Sequence, residues 1–226
     1  MTADLPVART SEAYRSQAGD YDQRTSRFQH WRELLISRLP TRPGDVVLDV
    51  GCGTGLCMPL LQKKVAPGGT VVGIDESEQM LAIAAERAAE HGWTNVRLVA
   101  APVSDATIDV TADAAIFCAV HDVLQSAAAL DNVFERLRAG AAVAAIGGKW
   151  PGVWLWPLRP WVALLHQPFV RDFTGFDQPW RLLNRYVPDL EIRELAAGSG
   201  YLAAGHARGP TLGSIGHDRA DRSADG

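Results

Sequence analysis

The sequence is short of cysteine: three in 226 residues, Cys52, Cys57 and Cys118, an odd number with no paired spacing. That excludes a disulfide framework. It is also too few for an all-cysteine zinc site, and no histidine pair stands nearby at ligand spacing, so no metal is expected. Positive charge is not in excess either. Lys and Arg number 22 against 26 Asp and Glu, a net charge of -4. Without a basic footprint, tracking of nucleic-acid phosphates is not the expected role. No run approaches the roughly 18 apolar residues needed to span a bilayer. Residues 1–9 lack the charged-then-apolar order of a secretory leader. A reducing cytoplasm is therefore the expected compartment, with the three thiols free, small and mostly buried.

What is present is the composition of an ordinary globular chain, 47% apolar and 21% charged, close to the average for folded proteins. Its length suits one domain, or one domain with appendages. The departure from average is local. Five of seven tryptophans (Trp150, Trp154, Trp156, Trp161 and Trp180) fall between positions 150 and 180.

Residues 1–10 carry no pattern. From Ser11 to Leu39 the apolar spacing of three and four predicts a helix, stopped by Pro40, Pro43 and Gly44. Strands are predicted at Val46–Val50, Thr70–Ile74, Val96–Ala100, Ala112–Val120 and Ala141–Ile146. Between them, helices are predicted at Leu56–Val65, Ser77–Glu90 and Leu130–Leu137. The strand runs are apolar without alternation, as parallel strands covered on both faces require. Alternating strand and helix make a doubly wound, mostly parallel α/β sheet. After Gly147-Gly148 the rhythm breaks among Pro151, Pro157, Pro160, Pro168 and Pro179. It resumes with a helix near Pro179–Tyr186 and two strands, Leu190–Leu195 and Tyr201–His206, close enough to form an antiparallel hairpin. The organisation expected is a helical lid (1–40), a core (41–148), an aromatic cap insertion (149–180), a closing helix and hairpin (181–208) and a disordered tail (209–226).

The first strand runs into Gly51-Cys52-Gly53-Thr54-Gly55. A strand, a glycine turn and a helix make a ligand cradle, because glycine lets the backbone turn tightly and approach closely. The dinucleotide fingerprint needs its third glycine one residue later, where Leu56 stands, and the Lys-Ser/Thr pair of a phosphate-binding loop is missing. This loop is built for something other than a pyrophosphate. Asp75, at the end of the next strand, can accept hydrogen bonds from both ribose hydroxyls. Asp49, just before the glycines, is read either as a turn cap or as a carboxylate that helps to hold a cationic amine.

Val47-Leu48-Asp49-Val50-Gly51-Cys52-Gly53-Thr54-Gly55, followed by Gly73-Ile74-Asp75-Glu76-Ser77-Glu78-Gln79-Met80-Leu81, resembles the class I S-adenosylmethionine (SAM)-dependent methyltransferases, of the type that acts on small molecules. The resemblance covers roughly residues 11–148 and, more loosely, 180–206. It implies a Rossmann-like, seven-stranded sheet with its last strand antiparallel, and SAM as cofactor, leaving as S-adenosylhomocysteine. By the same resemblance Gly51, Cys52 and Gly53 face the methionine part, and Asp49, Thr54, Gly55 and Cys118 are further cofactor contacts. Asp75 takes the ribose, and Glu76 and Met80 flank the adenine. The acid that many relatives place after the third strand is absent or displaced to Asp105, so the adenine contact passes to the Val103 backbone and Ser104. Tyr14 and Tyr21-Asp22 resemble the family's lead-in, which closes over the cofactor, Tyr21 beside the cofactor and Tyr14 beside the substrate.

A methyl donor that is already activated leaves the protein mainly to align the acceptor. A base is needed only if the acceptor holds a proton. His121, with Asp122 beside it, follows the fourth strand at the carboxyl edge, where open α/β sheets bind ligands; a histidine suits base work near neutrality. Its structural alternative is a backbone hydrogen bond at a helix start. The amino-directed nucleic-acid enzymes carry an Asn/Asp-Pro-Pro-aromatic run at this place, and here it is absent. The cap, with Phe169, Phe173 and Phe176 beside the tryptophans, has three readings: a pocket for an apolar or aromatic molecule, a lipid-touching patch, or core and dimer packing. Tyr14, His121, Lys149, Trp150, Trp154, Phe173 and Phe176 are the candidate substrate contacts. Lys149, Arg159, Arg171 and Arg181 are read either as solvated edges, the commoner case for such charges, or as contacts for an acidic group on the substrate. A monomer or homodimer is expected, with peripheral membrane contact open. Three rivals stand beside methyl transfer. They are other SAM chemistry at the aminocarboxypropyl carbon or by cyclisation, a binding protein on a degenerate fold, and a nicotinamide dehydrogenase, which the early third glycine disfavours.

Overall fold

The computed structural model describes residues 28–167, 170 and 172–208. The expectations for Tyr14, Tyr21, Asp22, Pro168, Phe169, Arg171 and the 209–226 tail lie outside these residues.

Seven strands form one sheet: β1 (Val46–Val50), β2 (Thr70–Asp75), β3 (Val96–Ala100), β4 (Ala112–Cys118), β5 (Leu137–Gly148), β6 (Glu191–Leu195) and β7 (Gly200–His206). Their order is β3-β2-β1-β4-β5-β7-β6. The first five are parallel, with Val47 beside Val71 on one side and Ala114 on the other. β7 runs antiparallel between β5 and β6. This is the doubly wound sheet with a terminal antiparallel hairpin that the resemblance implies.

Both faces of the sheet are cores. Leu35, Val47, Met58, Leu61, Val71, Leu81 and Ile116 pack on one, and Leu48, Val72, Ile74, Phe117, Leu130, Val133 and Leu183 on the other. That is why the strands read as unbroken apolar runs. The first face is covered by α1 (Gln29–Ser37), α2 (Met58–Val65) and α3 (Glu78–Glu90). α3 buries Leu81, Ala84 and Ala88 at helical spacing, and the Ser77 side chain caps it by accepting from Met80 N at 3.3 Å. The other face takes the single-turn α4 (His121–Leu124) and α5 (Ala127–Phe134), which is capped by Ser126. Leu35, Ile36 and Leu39 are fully or almost fully buried, so α1 and the residues after it belong to this core.

Three predicted elements differ. The Leu130–Leu137 helix is shifted to Ala127–Phe134, because the Ser126 cap starts it and Leu137 already pairs with Ala112 as the first residue of β5. The Pro179–Tyr186 helix is a 3-10 turn at Arg181–Arg185. The cap, read as irregular, holds a 3-10 segment at Val153–Leu158 and α6 (Arg159–His166). Pro160 does not prevent α6, since it stands in the first turn, where no intrahelical N–H is needed. Among the described residues no helix is long and apolar enough to cross a membrane.

Strand order reverses between β1 and β4. Outside the carboxyl ends of these two strands the connections diverge and leave a crevice, the place where open α/β sheets bind ligands.

Candidate active site

β1 delivers the glycine turn into that crevice. Gly51 has φ +68°, and a Cβ there would lie 2.4 Å from Val120 Cγ1, so only glycine lets the loop after β1 and the loop after β4 approach this closely. The loop amides are largely spent within the protein. Gly51 and Cys52 N donate to Ile74 O at 2.8 and 3.0 Å, and Gly55 N donates to Cys52 O at 3.0 Å. Gly53 N donates to Asp75 Oδ2 at 2.9 Å. A pyrophosphate cradle must keep such donors for its ligand; this one keeps few.

The loop instead carries an unsatisfied carboxyl group. Asp49 is 1% exposed, lines the cavity, and its Oδ2 accepts no hydrogen bond from the described residues. Burial, with the Asp75 charge adding to it, pushes the carboxyl from its ordinary 3.8 up to about 7, while the Arg32 charge pulls the other way. A buried carboxylate with a free oxygen fits a cationic amine and repels a phosphate. Asp75 is held at the same edge by two backbone donors, Gly53 N to Oδ2 and Ser77 N to Oδ1, both at 2.9 Å. Each oxygen retains a second lone pair for a ligand hydroxyl.

From Asp49 and the loop a cavity of 240 Å³ extends under the cap. Cys52, Cys57, Cys118, Ile146, Val170 and Phe176 make its wall mostly apolar. All three thiols are free; burial raises the pKa of Cys52, and a hydrogen bond with Cys118 followed by burial raises that of Cys57, which keeps both protonated.

At the far wall stands His121, 6% exposed at the start of α4. Its Nε2 lies 3.0 Å from Thr174 O. A carbonyl can only accept, so Nε2 carries the proton, and in the neutral ring Nδ1 carries the lone pair. Nδ1 is buried and has no partner among the described residues. A second imidazole, His166 on α6, also lines the cavity. Its Nδ1 donates to Val162 O at 2.9 Å, leaving Nε2 as acceptor. Burial lowers its pKa below the ordinary 6.5, against the opposing pull of the Val162 hydrogen bond. Phe176 sits edge-on to both rings, with centroids at 5.1 and 5.4 Å.

Several predicted residues stand elsewhere. Asp122 is exposed and outside the cavity wall, because successive helical residues point about 100° apart; it does not pair with His121. Trp154 is 96% exposed on the outer surface, not in the pocket. Lys149 is buried and meets no cavity. Its three protons go to Glu194 Oε1 at 2.9 Å, Gly198 O at 3.0 Å and Trp150 O at 3.1 Å. Trp150 and Phe173 stack on each other at 5.1 Å and buttress Phe176 from behind. Glu76 and Met80 lie outside the enclosed cavity, beside Asp75 at the start of α3. The Val103 side chain is buried in the core and its carbonyl accepts from Asn132 Nδ2 at 2.8 Å, so only its N–H is left for an adenine; Ser104 is half-buried beside it.

Sequence reading missed Arg32, His166 and Tyr201, all on the cavity wall. Arg32 had a signal. It falls on the same helical stripe as Leu35, Ile36 and Leu39, a charge on an otherwise buried face. Tyr201 is 1% exposed, paired in register with Gly147, and burial raises its hydroxyl pKa well above the ordinary value.

Residues 41–146 match the family model described as "Methyltransferase domain". The chain is 30% identical over 175 residues to the chloroplastic 2-phytyl-1,4-beta-naphthoquinone methyltransferase of Arabidopsis thaliana, across 76% of this chain and 61% of that protein. It is 29% identical over 153 residues to the demethylmenaquinone methyltransferase of Lactococcus lactis, across 63% of this chain and 60% of that one. It thus spans less than two thirds of either relative. The geranyl diphosphate C-methyltransferase of Streptomyces coelicolor A3(2) shares the fold, with a TM-score of 0.59 at 20% identity, over 79% of this chain and 78% of that one. With the glycine turn, Asp75 and this sheet order already in place, residues 41–146 form a methyltransferase domain with the fold of the class I, SAM-dependent enzymes.

Proposed function

We propose that the chain transfers the methyl group of SAM to a small apolar or aromatic acceptor. One observation carries the reading: a single, mostly apolar cavity joins the unpartnered Asp49 carboxylate and the glycine loop to the two imidazoles under the cap. The residues fit the cofactor. Asp49, Gly51, Cys52, Gly53, Thr54 and Cys118 would surround its methionine part, with the amine offering the cation that Asp49 lacks. Asp75 would take the ribose, and Glu76, Met80 and Ser104 the adenine side. When bound, SAM supplies a methyl group already activated by a sulfonium charge.

The chain's own work is then alignment, exclusion of water and, for a protic acceptor, removal of one proton. His121 Nδ1 takes that proton, and the Nε2 bond to Thr174 O holds the ring in the tautomer that can accept it. Phe176, braced by Trp150 and Phe173, fixes the ring edge-on and closes the wall against water. His166 Nε2 offers a second acceptor that positions a hydroxyl. Two relatives are named for naphthoquinone-type acceptors, and an aromatic ring bearing hydroxyls suits this wall. The free thiols support work in a reducing cytoplasm.

The test is product analysis. Purified chain incubated with SAM and a panel of phenols and quinols should yield S-adenosylhomocysteine and a methylated acceptor by mass spectrometry. Methylthioadenosine as the product, or no SAM binding by calorimetry, would overturn the proposal.

A further inference from the structure

Among the described residues eight large apolar side chains are exposed, and seven of them fall within the thirteen residues of Val153–Leu165. Trp154, Trp161 and Trp156 are 96%, 72% and 66% exposed. Single exposed apolar residues are ordinary, whereas a contiguous cluster marks a surface built to be covered. α6 is two-faced. Val162 and His166 face inward, Trp161 and Leu164 face out, and Leu165 stands at the edge between the outer surface and the cavity wall. We propose that this outer face of the cap docks on an anionic lipid bilayer and draws an amphiphilic acceptor, an apolar chain with a nucleophilic head, from the bilayer into the cavity.

Three observations select a bilayer over other coverings. First, the exposed set is rich in tryptophan, whose amphipathic ring favours the headgroup boundary, and it lies on a short helix that can rest in that boundary but not span it. Second, the charge is complementary. The chain carries net -4, yet residues 149–171 contain no Asp or Glu and do contain Arg159. Lys149 in the same stretch is neutralised by Glu194, and Arg159 sits 5.7 Å over the Trp150 ring, at the junction of the patch and the inner aromatics. Of a net-negative molecule, this face brings no carboxylate from its own segment to anionic headgroups. Third, the patch is continuous with the cavity. An apolar groove lined by Leu155, Leu158 and Trp161 shares Leu165, Ala196 and Ser199 with the cavity wall. A chain lying along that groove would reach the cavity without crossing water.

The second half of this proposal rests on the methyl-transfer reading; the docking half does not. The test uses the full chain with vesicles of phosphatidylcholine mixed with phosphatidylglycerol, and with phosphatidylcholine alone. Co-sedimentation with the mixed vesicles and a blue shift of tryptophan emission are expected. Trp154→Ser with Trp156→Ser should lower partitioning roughly tenfold, with SAM affinity and turnover of a water-soluble acceptor unchanged, since neither residue lines the cavity or the groove. Arg159→Glu should reduce binding to the mixed vesicles only. Wild-type chain that stays in the supernatant would overturn the proposal. So would a dimer in sedimentation velocity that the double variant converts to monomer, since the patch would then be covered by a second copy. If the vesicles bind the chain while calorimetry detects no SAM, docking stands and methyl transfer fails.

Discussion

Asp49→Asn puts the electrostatics of the site to a quantitative test. Unfolded, Asp49 ionises near 3.8; folded, near 7, because burial disfavours its charge more than Arg32 favours it. Between those pH values the native state holds a proton that the unfolded chain has released. Stability therefore falls as pH rises through that window and levels off above it. At about 1.4 kcal/mol per pH unit the full loss is on the order of 4 kcal/mol. Asparagine keeps the shape and removes the charge. It leaves an amide of its own to satisfy, at a cost of about 1–3 kcal/mol that does not vary with pH. The variant-minus-wild-type difference in unfolding free energy should thus rise by roughly 4 kcal/mol between about pH 4 and pH 8, measured by urea denaturation without cofactor. SAM should reverse the relation. Its amine favours the carboxylate, so binding near pH 7 should release about half a proton per site, read by calorimetry in buffers of different ionisation enthalpy. The variant should bind roughly tenfold or more weakly and release none. Parallel pH–stability curves for the two proteins, with no proton release by the wild type, would refute the reasoning: Asp49 would then ionise normally, and no cation would be needed to complete the site.

Asp75→Ala should weaken SAM binding about tenfold or more by calorimetry, since the ribose loses its acceptor and Gly53 N and Ser77 N lose theirs; unchanged affinity would remove the ribose assignment. His121→Ala should lower turnover about 10²-fold or more for a protic acceptor and leave SAM affinity within a few-fold. Full activity across pH in that variant would exclude the base role. Gly51→Ala should cost about 2 kcal/mol or more of stability, because φ +68° strains alanine and its Cβ meets Val120 Cγ1; a melting temperature equal to wild type would contradict the packing.

Much of the fold was legible because it is written in short windows. The parallel strands β1, β2 and β4 are runs of five to seven residues that are mostly apolar because both faces are covered, and the glycine turn is five consecutive residues. Element ends were less legible, because caps and register decide them. Ser126 starts α5 three residues before its apolar pattern begins, and β7 holds β5 straight through Gly148.

The site divides along the same line. The sequence by itself determined the sheet, a glycine turn whose spacing fits neither a dinucleotide nor a phosphate loop, and the carboxylates Asp49 and Asp75 at strand ends, since neighbours in the chain are enough to place them. Only the tertiary structure decided what meets them. The rotation of about 100° between successive helical residues put His121 on the cavity wall and Asp122 in solvent. A residue 45 positions away took Lys149 out of the site. α1 brought Arg32 to Asp49, and the cap folded His166 and Phe176 inward while leaving Trp154 outside. Those outcomes depend on how separate segments pack, and packing distance between segments is the one quantity a linear sequence does not carry.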